Sequence, residues 1–197
     1  MDQLKWGIVG SVERAKAFVA DLKHTSKPNT LHGFFPTDHY LNTSDLIMDR
    51  VYDDFDQLLE SNIDAVYIAS SYKFHFAKVK QSLLHQKAVL CERPIAENVK
   101  QLKQLISLSE HNNTFMMEGM WIRFLPSIKK VLSIVSSGSI GEVASVKASL
   151  SYKQPVTEHL LNSGGGALFE LGVFPVFLCT LLLGRPVYVQ AIGKKSA

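Results

Sequence analysis

The sequence predicts an α/β protein: a doubly wound parallel sheet, followed by an incomplete α+β domain with an open sheet. Short apolar runs, typical of strands buried on both faces, alternate with helical segments up to residue 117. A glycine turn follows the first of these strands, and after Glu118 the alternation gives way to longer segments. We therefore expect a first domain at 1–119 and a second, partial α/β domain at 120–197.

The first domain is predicted to alternate strands and helices. Right-handed crossovers place the carboxyl ends of parallel strands on one edge, where ligands bind in wound sheets. Asp53 or Asp54 caps one helix and Asn98 another, because a short polar side chain accepts from the free amides of a first turn. The predicted strands are 4–9, 30–35, 51–52, 65–69, 87–91 and 114–117, and the predicted helices are 13–22, 55–60, 74–85 and the segment after Asn98.

The second domain is predicted to begin a more open sheet. Residues 126–136 have the pattern of a helix, and residues 143–152 alternate as a half-exposed strand does. An apolar helix follows the glycines at 164–166, and residues 187–192 are predicted to form a final strand.

Composition and charge exclude several classes of protein. The formal net charge of +3 comes from scattered Lys and Arg, which is too little for a nucleic-acid-binding surface. The apolar run 167–183 contains Glu170 and is shorter than the ~20 residues that span a bilayer, so we expect a buried helix and no membrane partner. The histidines have no ligand spacing, so no metal is expected.

Cysteine content predicts a cytoplasmic location. Cys91 and Cys179 lie far apart in separate apolar runs, which indicates buried thiols in a reducing compartment rather than a disulfide. The N-terminal residues lack the apolar region of a signal peptide, so export is not expected.

The turn after the first strand contains candidate cofactor-binding residues. Gly10, Ser11 and Val12 form this turn, and Gly7 is a further candidate in the strand before it. Gly10 matches the first glycine of the Rossmann-type dinucleotide fingerprint, with Ala15 at its third position. Val12 occupies the middle position, where the absence of a side chain lets helix N-terminal amides reach a pyrophosphate. A β-branched residue there blocks that approach or demands a different backbone course.

A charged pair marks a candidate active-site edge. In residues 89–98 an apolar strand leads to Glu92 and Arg93, and Pro94 fixes the turn that follows. Asp38, after the second strand, is a candidate partner for ribose hydroxyls and favours NAD over NADP as the cofactor.

Landmarks in order along the chain resemble those of one enzyme family. The segments are 6–10, 64–69, His75, 91–94, 118–124 and 164–174. Together they resemble the Gfo/Idh/MocA family of NAD(P)-dependent oxidoreductases, most closely its sugar- and dihydrodiol-dehydrogenase branch. Members of this family generally continue further and complete the second domain's sheet.

The resemblance implies hydride transfer between NAD or NADP and a small-molecule substrate, namely a sugar, polyol or diol. It also implies cofactor contacts from Ser70, His75, Glu92 and Arg93. Arg93 stands where the family places a lysine thought to serve in catalysis.

Proton transfer is the step that this sequence alters. A group must take the carbinol proton as hydride leaves. Arg93 stays protonated and cannot take it readily, although it can polarise a carbonyl. In the second domain Glu170 replaces the family's Asp, and Phe174 replaces its Tyr or His without a titratable atom. Tyr152 and His159 are candidate substitutes.

Two hypotheses follow. In the first, the protein is an oxidoreductase in which Glu92 and Arg93 orient the substrate, and Glu170 or His159 assists proton transfer across one shared cavity. In the second, it is a catalytically silent binding or regulatory protein that retains the fold. Both include a homo-oligomer formed through the second domain's sheet, because an unpaired strand edge at 143–152 or 187–192 invites another chain.

Overall fold

The computed structural model describes residues 3–37, 48–151 and 166–193. The chain divides into two compact units. Unit 1 comprises Met1–Met120 and unit 2 comprises Trp121–Ala197.

Unit 1 is built on a parallel sheet of six strands in the order β3-β2-β1-β4-β5-β6. The numbering reverses at β1 and β4, which is the topological switch point of a doubly wound sheet. The predicted doubly wound parallel sheet is confirmed. The strands are β1 Leu4–Gly10, β2 Asn29–Pro36, β3 Arg50–Val51, β4 Ala65–Ala69, β5 Ala88–Cys91 and β6 Met116–Glu118.

Two helices of unit 1 begin at the polar caps predicted for them. The Asn98 side chain accepts from Gln101 N at 3.0 Å, which satisfies a free amide of the helix it starts. Asp54, and not Asp53, caps the second helix by accepting from Asp56 N at 2.7 Å. The helices are α1 Val12–Leu22, α2 Phe55–Glu60, α3 His75–Leu84 and α4 Val99–His111, with a 3₁₀ turn at Tyr72–Phe74.

The two faces of the sheet bury separate apolar clusters. Alternation along β4 sends Val66 and Ile68 to one face and Tyr67 to the other. Within the described residues, α2, α3 and α4 pack on the strands of the first face, and α1 packs on those of the second. Right-handed crossovers on either side of the switch point produce this division of helices.

Unit 2 is helical over most of its described length. The helix α5, Pro126–Ser136, has the bounds that the sequence predicts and follows a 3₁₀ turn at Trp121–Phe124. A π-helical turn at Leu168–Gly172 runs into α6, Val173–Leu183. No helix in the described ranges is both long and apolar enough to cross a membrane.

Two predictions for unit 2 are wrong for the residues that the structure describes. Residues 143–151 and 187–192 belong to no strand, although both were predicted as strands. An alternating pattern indicates which side chains would be buried if the segment formed a strand. A strand also needs a neighbour with which to exchange backbone hydrogen bonds. The helix α6 was expected to be buried, yet Val176 is 59% exposed.

Candidate cofactor-binding edge

The switch point brings β1 and β4 together at Gly10. Gly10 pairs with Ala69 on one side and Pro36 on the other. A Cβ atom on Gly10 would lie 2.9 Å from the Ala69 carbonyl oxygen, closer than real Cβ contacts. Glycine is therefore required here by the close approach of two strand ends, at the place where wound sheets bind ligands.

The first turn of α1 accommodates Val12 by burying it. Ser11 is extended, and its Oγ accepts from Arg14 N at 3.2 Å, so the helix begins at Val12. The Val12 side chain is 9% exposed and packs in the cluster that includes Phe34 and Tyr67. The Val12 side chain therefore packs into the core beneath α1. Ser11 caps the helix.

Glu92 accepts a hydrogen bond from a buried tyrosine. The Tyr67 hydroxyl donates to Glu92 Oε1 at 2.7 Å, and the Tyr67 ring stacks on Phe18 with centroids 4.0 Å apart. Burial, followed by the Glu92 carboxylate, raises the pKa of Tyr67 well above its ordinary value. Tyr67 therefore stays protonated and orients the carboxylate. Sequence reasoning missed it, although a hydroxyl in an otherwise apolar strand signals a buried partner.

His75 joins the ends of two strands. Its ring is 1% exposed, with Nδ1 2.9 Å from the Pro94 carbonyl oxygen and Nε2 2.9 Å from the Ser70 carbonyl oxygen. Ser70 follows β4 and Pro94 follows β5, so one imidazole connects both loops at the ligand-binding edge. Direct contact of His75 or Ser70 with a cofactor stays a prediction.

The turn at residues 92–94 is also held from β6. Glu118 Oε1 accepts from Ile95 N at 2.9 Å, and Gly119 N donates to Cys91 O at 2.7 Å. Arg93 is half-buried in this turn, and its peptide bond with Pro94 is cis. The charged pair is consequently fixed by contacts from neighbouring elements on both sides.

The two cysteines differ in environment. Cys91 is fully buried in β5, and burial raises the pKa of its thiol well above the ordinary value. Cys179 in α6 is half-buried. The prediction of a buried thiol is confirmed for Cys91, and the Cys179 thiol is more accessible than predicted.

A lysine with aromatic neighbours lies at the end of β2. Lys78, on α3, has its Nζ 4.6 Å from the ring centroid of Phe35 and 4.4 Å from that of Phe55. Burial lowers the pKa of Lys78. Sequence reasoning did not single out this residue, because its two ring neighbours come from two other elements, β2 and α2.

The remaining predicted site residues belong to unit 2 or lie outside the described residues. Glu170 is in the π-helical turn, and Phe174 is in α6 with its ring 5.8 Å from that of Trp121. Asp38 and His159 lie outside the described residues. The meeting of Glu170 with the 92–94 turn stays a prediction. In the described ranges, no cluster of His, Cys, Asp and Glu side chains could hold a metal ion.

The fold and this edge define a class. A parallel sheet in the order 3-2-1-4-5-6, with a glycine turn and a capped helix at its switch point, is that of a dinucleotide-binding Rossmann protein.

The chain belongs to the Gfo/Idh/MocA oxidoreductase family. Residues 4–120 match the family's profile, which describes an oxidoreductase family with an NAD-binding Rossmann fold. Residues 128–197 match a C-terminal domain of the same family.

Similar proteins include dehydrogenases of diols and polyols. The chain is 32% identical to a trans-1,2-dihydrobenzene-1,2-diol dehydrogenase of Danio rerio over 152 residues, 73% of this chain and 45% of the relative. For the Mus musculus enzyme of the same name, identity is 27% over 97% of this chain and 60% of the relative. Apo scyllo-inositol dehydrogenase from Lactobacillus casei has a TM-score of 0.63 and 25% identity over 71% of this chain and 43% of its own. The chain thus spans about half the length of these relatives.

Proposed function

We propose that this chain binds a nicotinamide cofactor at the carboxyl edge of its sheet and transfers hydride between that cofactor and a sugar, polyol or diol. The observation that carries the proposal is the charged turn at residues 92–94. Tyr67, His75 and Glu118 hold it from β4, α3 and β6. A turn fixed in advance can orient a reacting group without the cost of ordering it on binding.

The residues at the switch point fit a dinucleotide. Gly10 leaves no side chain at the strand crossing, and the Val12 side chain packs into the core. The free amides of the first turn of α1 are the groups that would bind a pyrophosphate. The bound nicotinamide would supply the hydride donor or acceptor. We assign NAD or NADP binding to Gly7, Gly10, Ser11, Val12, Asp38, Ser70, His75, Glu92 and Arg93.

Substrate orientation and proton transfer are assigned to different residues. The Arg93 guanidinium has fixed donors that polarise a carbonyl or bind a hydroxyl, and it does not release a proton in the physiological range. We assign the proton to Glu170 or His159. The substrate class follows from the diols and the inositol in the names of the similar proteins.

A catalytically silent protein is the second candidate function. Arg93 and Phe174 stand at positions where the family's usual side chains carry a proton, and neither residue can do so at neutral pH. Such a protein would bind cofactor or sugar without turnover.

Cofactor titration tests the proposal. Purified protein is titrated with NADH and with NADPH while the fluorescence of the reduced nicotinamide is followed. We expect saturable binding with a dissociation constant below the millimolar range. If neither NADH nor NADPH shows saturable binding below the millimolar range, the result would contradict the proposed oxidoreductase function and favour the catalytically silent protein.

A paired reversion tests the assigned cleft. Arg93→Lys together with Phe174→Tyr restores two groups that can carry a proton, so we expect faster cofactor oxidation or reduction with a diol or inositol as substrate. Each single reversion serves as the matched control. Unchanged turnover in the double variant, with cofactor binding intact, would count against the placement of both residues in one site.

We also propose a cytoplasmic protein that associates with itself. The fully buried, unpaired thiol of Cys91 is compatible with a reducing compartment. In unit 2, Val187 and Ile192 are exposed and provide apolar surface for a second copy. Light scattering at increasing concentration should detect dimers or larger species, and a constant monomer mass would refute self-association. Cell fractionation tests the compartment.

A further inference from the structure

Lys78 reaches the end of β2 although it belongs to α3. Its two ring partners mark that place, because Phe35 is the penultimate residue of β2 and Phe55 is the first residue of α2. Dinucleotide-binding sheets read the ribose 2′ position at the end of the second strand, where an acid accepts from a hydroxyl or a cation accommodates a phosphate. Lys78 therefore brings a cation to the region of the sheet where the two cofactors are distinguished.

The Lys78 ammonium group makes cation–π contacts with the rings of Phe35 and Phe55. Within residues 3–37 and 48–151, no carboxylate forms an ion pair with its ammonium group. Asp54, which precedes Phe55 in the chain, uses its Oδ1 to accept from the α2 amides of Asp56 and Gln57. Half-burial disfavours the charged form of the lysine, so an anion bound beside it would recover that loss.

We propose that Lys78 binds the 2′-phosphate of NADP and makes this chain selective for NADP over NAD. The inference rests on the proposed cofactor site and adds the residue that chooses between its two forms. A phosphate monoester accepts charge-assisted hydrogen bonds from an ammonium group, whereas the 2′-hydroxyl of NAD offers only a neutral acceptor.

Two other expectations compete with this inference. In the first, Lys78 only stabilises the packing of α3 against α2 through the rings of Phe35 and Phe55, so its replacement would change the affinities for NADPH and NADH equally. Asp38, the candidate ribose partner in the sequence, favours NAD. Both alternatives predict no preference for a 2′-phosphate.

The test compares four ligands on three proteins. Wild type, Lys78→Gln and Lys80→Gln are titrated with NADPH, NADH, 2′-AMP and 5′-AMP, at low and at high salt. Lys80→Gln is the matched control, because it removes the same charge from an exposed position on the same helix. Thermal unfolding of each variant checks that the fold is retained.

We expect wild type to bind NADPH and 2′-AMP at least about tenfold more tightly than NADH and 5′-AMP, since one charge-assisted contact has about this effect on affinity. Lys78→Gln should lose about 10- to 100-fold in affinity for the 2′-phosphorylated ligands and stay within about twofold for the others. Salt should weaken NADPH binding to wild type more than to Lys78→Gln. Lys80→Gln should match wild type.

Several results would overturn the inference. Tighter binding of NADH than NADPH by wild type would do so, as would an equal loss for both cofactors in Lys78→Gln. If Lys78→Gln unfolds, Lys78→Arg keeps the charge on a folded chain and must retain the preference for 2′-AMP over 5′-AMP. Failure of wild type to bind either dinucleotide would instead contradict the proposed function itself.

Discussion

Unit 1 and unit 2 both contain many apolar residues but bury them very differently. In unit 1, Leu58 and Val66 are 0% exposed, whereas in the described part of unit 2 no residue is fully buried and Leu183 is 50% exposed. Every strand of unit 1 has a parallel neighbour, whereas residues 143–151 and 187–192 of unit 2 form no strand. Apolar composition therefore does not by itself produce a core, because apolar side chains are buried only where a second layer of structure packs against them.

The largest expected effect is the loss of a buried leucine from unit 1. Leu58→Ala should lower the free energy of unfolding by about 2–5 kcal/mol, because it leaves a cavity under α2. Leu183→Ala removes the same atoms from a half-exposed site and should cost about 1 kcal/mol or less. Urea unfolding followed by circular dichroism measures both variants. Equal losses would contradict the contrast between the units.

Trp6 provides a signal from unit 1 alone. Trp121→Phe removes the tryptophan of unit 2, so the remaining fluorescence reports the unit that contains Leu58. In this background the Leu58→Ala transition should shift to lower urea, and the Leu183→Ala transition should stay in place.

The second largest effect is expected from adding a methyl group at Gly33, where the core of unit 1 has no room for it. A Cβ atom on Gly33 would lie 2.6 Å from Leu58 Cδ1 and 2.7 Å from Tyr52 Cε2. Gly33→Ala should therefore cost about 1–3 kcal/mol through overpacking. In the Leu58→Ala background the same substitution should cost less, because one of the two obstacles is gone. Additive losses in a double-mutant cycle measured by urea unfolding would contradict this packing.

A smaller effect is expected from the hydrogen bond at the candidate site. Tyr67→Phe keeps the ring stacked on Phe18 but leaves Glu92 without its donor, and it should cost about 1–2 kcal/mol in unfolding free energy. It should also weaken cofactor binding in the fluorescence titration. Tyr188→Phe, at an exposed position of unit 2, is the control and should change neither quantity.

The same variant predicts a pH dependence. The pKa of Tyr67 in the folded protein is raised above the value of about 10 for a free tyrosine, so above pH 10 the unfolded chain ionises first. The contribution of Tyr67 is fully present below that pH and is lost as the pH rises. The stability difference between wild type and Tyr67→Phe should therefore narrow progressively as the pH rises above about 10. Urea unfolding at each pH measures this difference. If it widens as the pH rises, the result would contradict the buried, hydrogen-bonded environment of Tyr67.

The smallest expected effect is local to a helix start. Asn98→Ala removes the acceptor for Gln101 N and should cost about 1 kcal/mol. Asn98→Asp keeps an acceptor and adds a negative charge at the helix N-terminus, so its stability should stay close to that of wild type. Thermal unfolding of both variants checks the prediction, and equal losses would show that the cap is not the cause.

Local patterns predicted the elements of unit 1 closely. The strand at 65–69 and the helix at 55–60 have their predicted bounds, and Asn98 forms the predicted cap. Each depends on neighbours within a few residues, such as an apolar run or a side chain that accepts from its own first turn. The strands predicted at 143–152 and 187–192 were wrong in their described residues because pairing depends on distant segments.

The candidate site was predicted only in part. Glu92 and Arg93 could be singled out because a strand leads directly into a charged pair and a proline. Tyr67, Lys78 and Glu118 could not be given their roles, since their partners are separated from them by 20 or more residues in sequence.

The sequence by itself determined, to within two residues, where the strands and helices of unit 1 begin and end, because hydrophobic periodicity and capping act over one or two turns of the backbone. Only the tertiary structure decided that the Val12 side chain enters the core, that His75 joins the loops after β4 and β5, and that Lys78 contacts two rings. These contacts depend on the order of strands in the sheet, which brings distant segments to one edge and has no local signature.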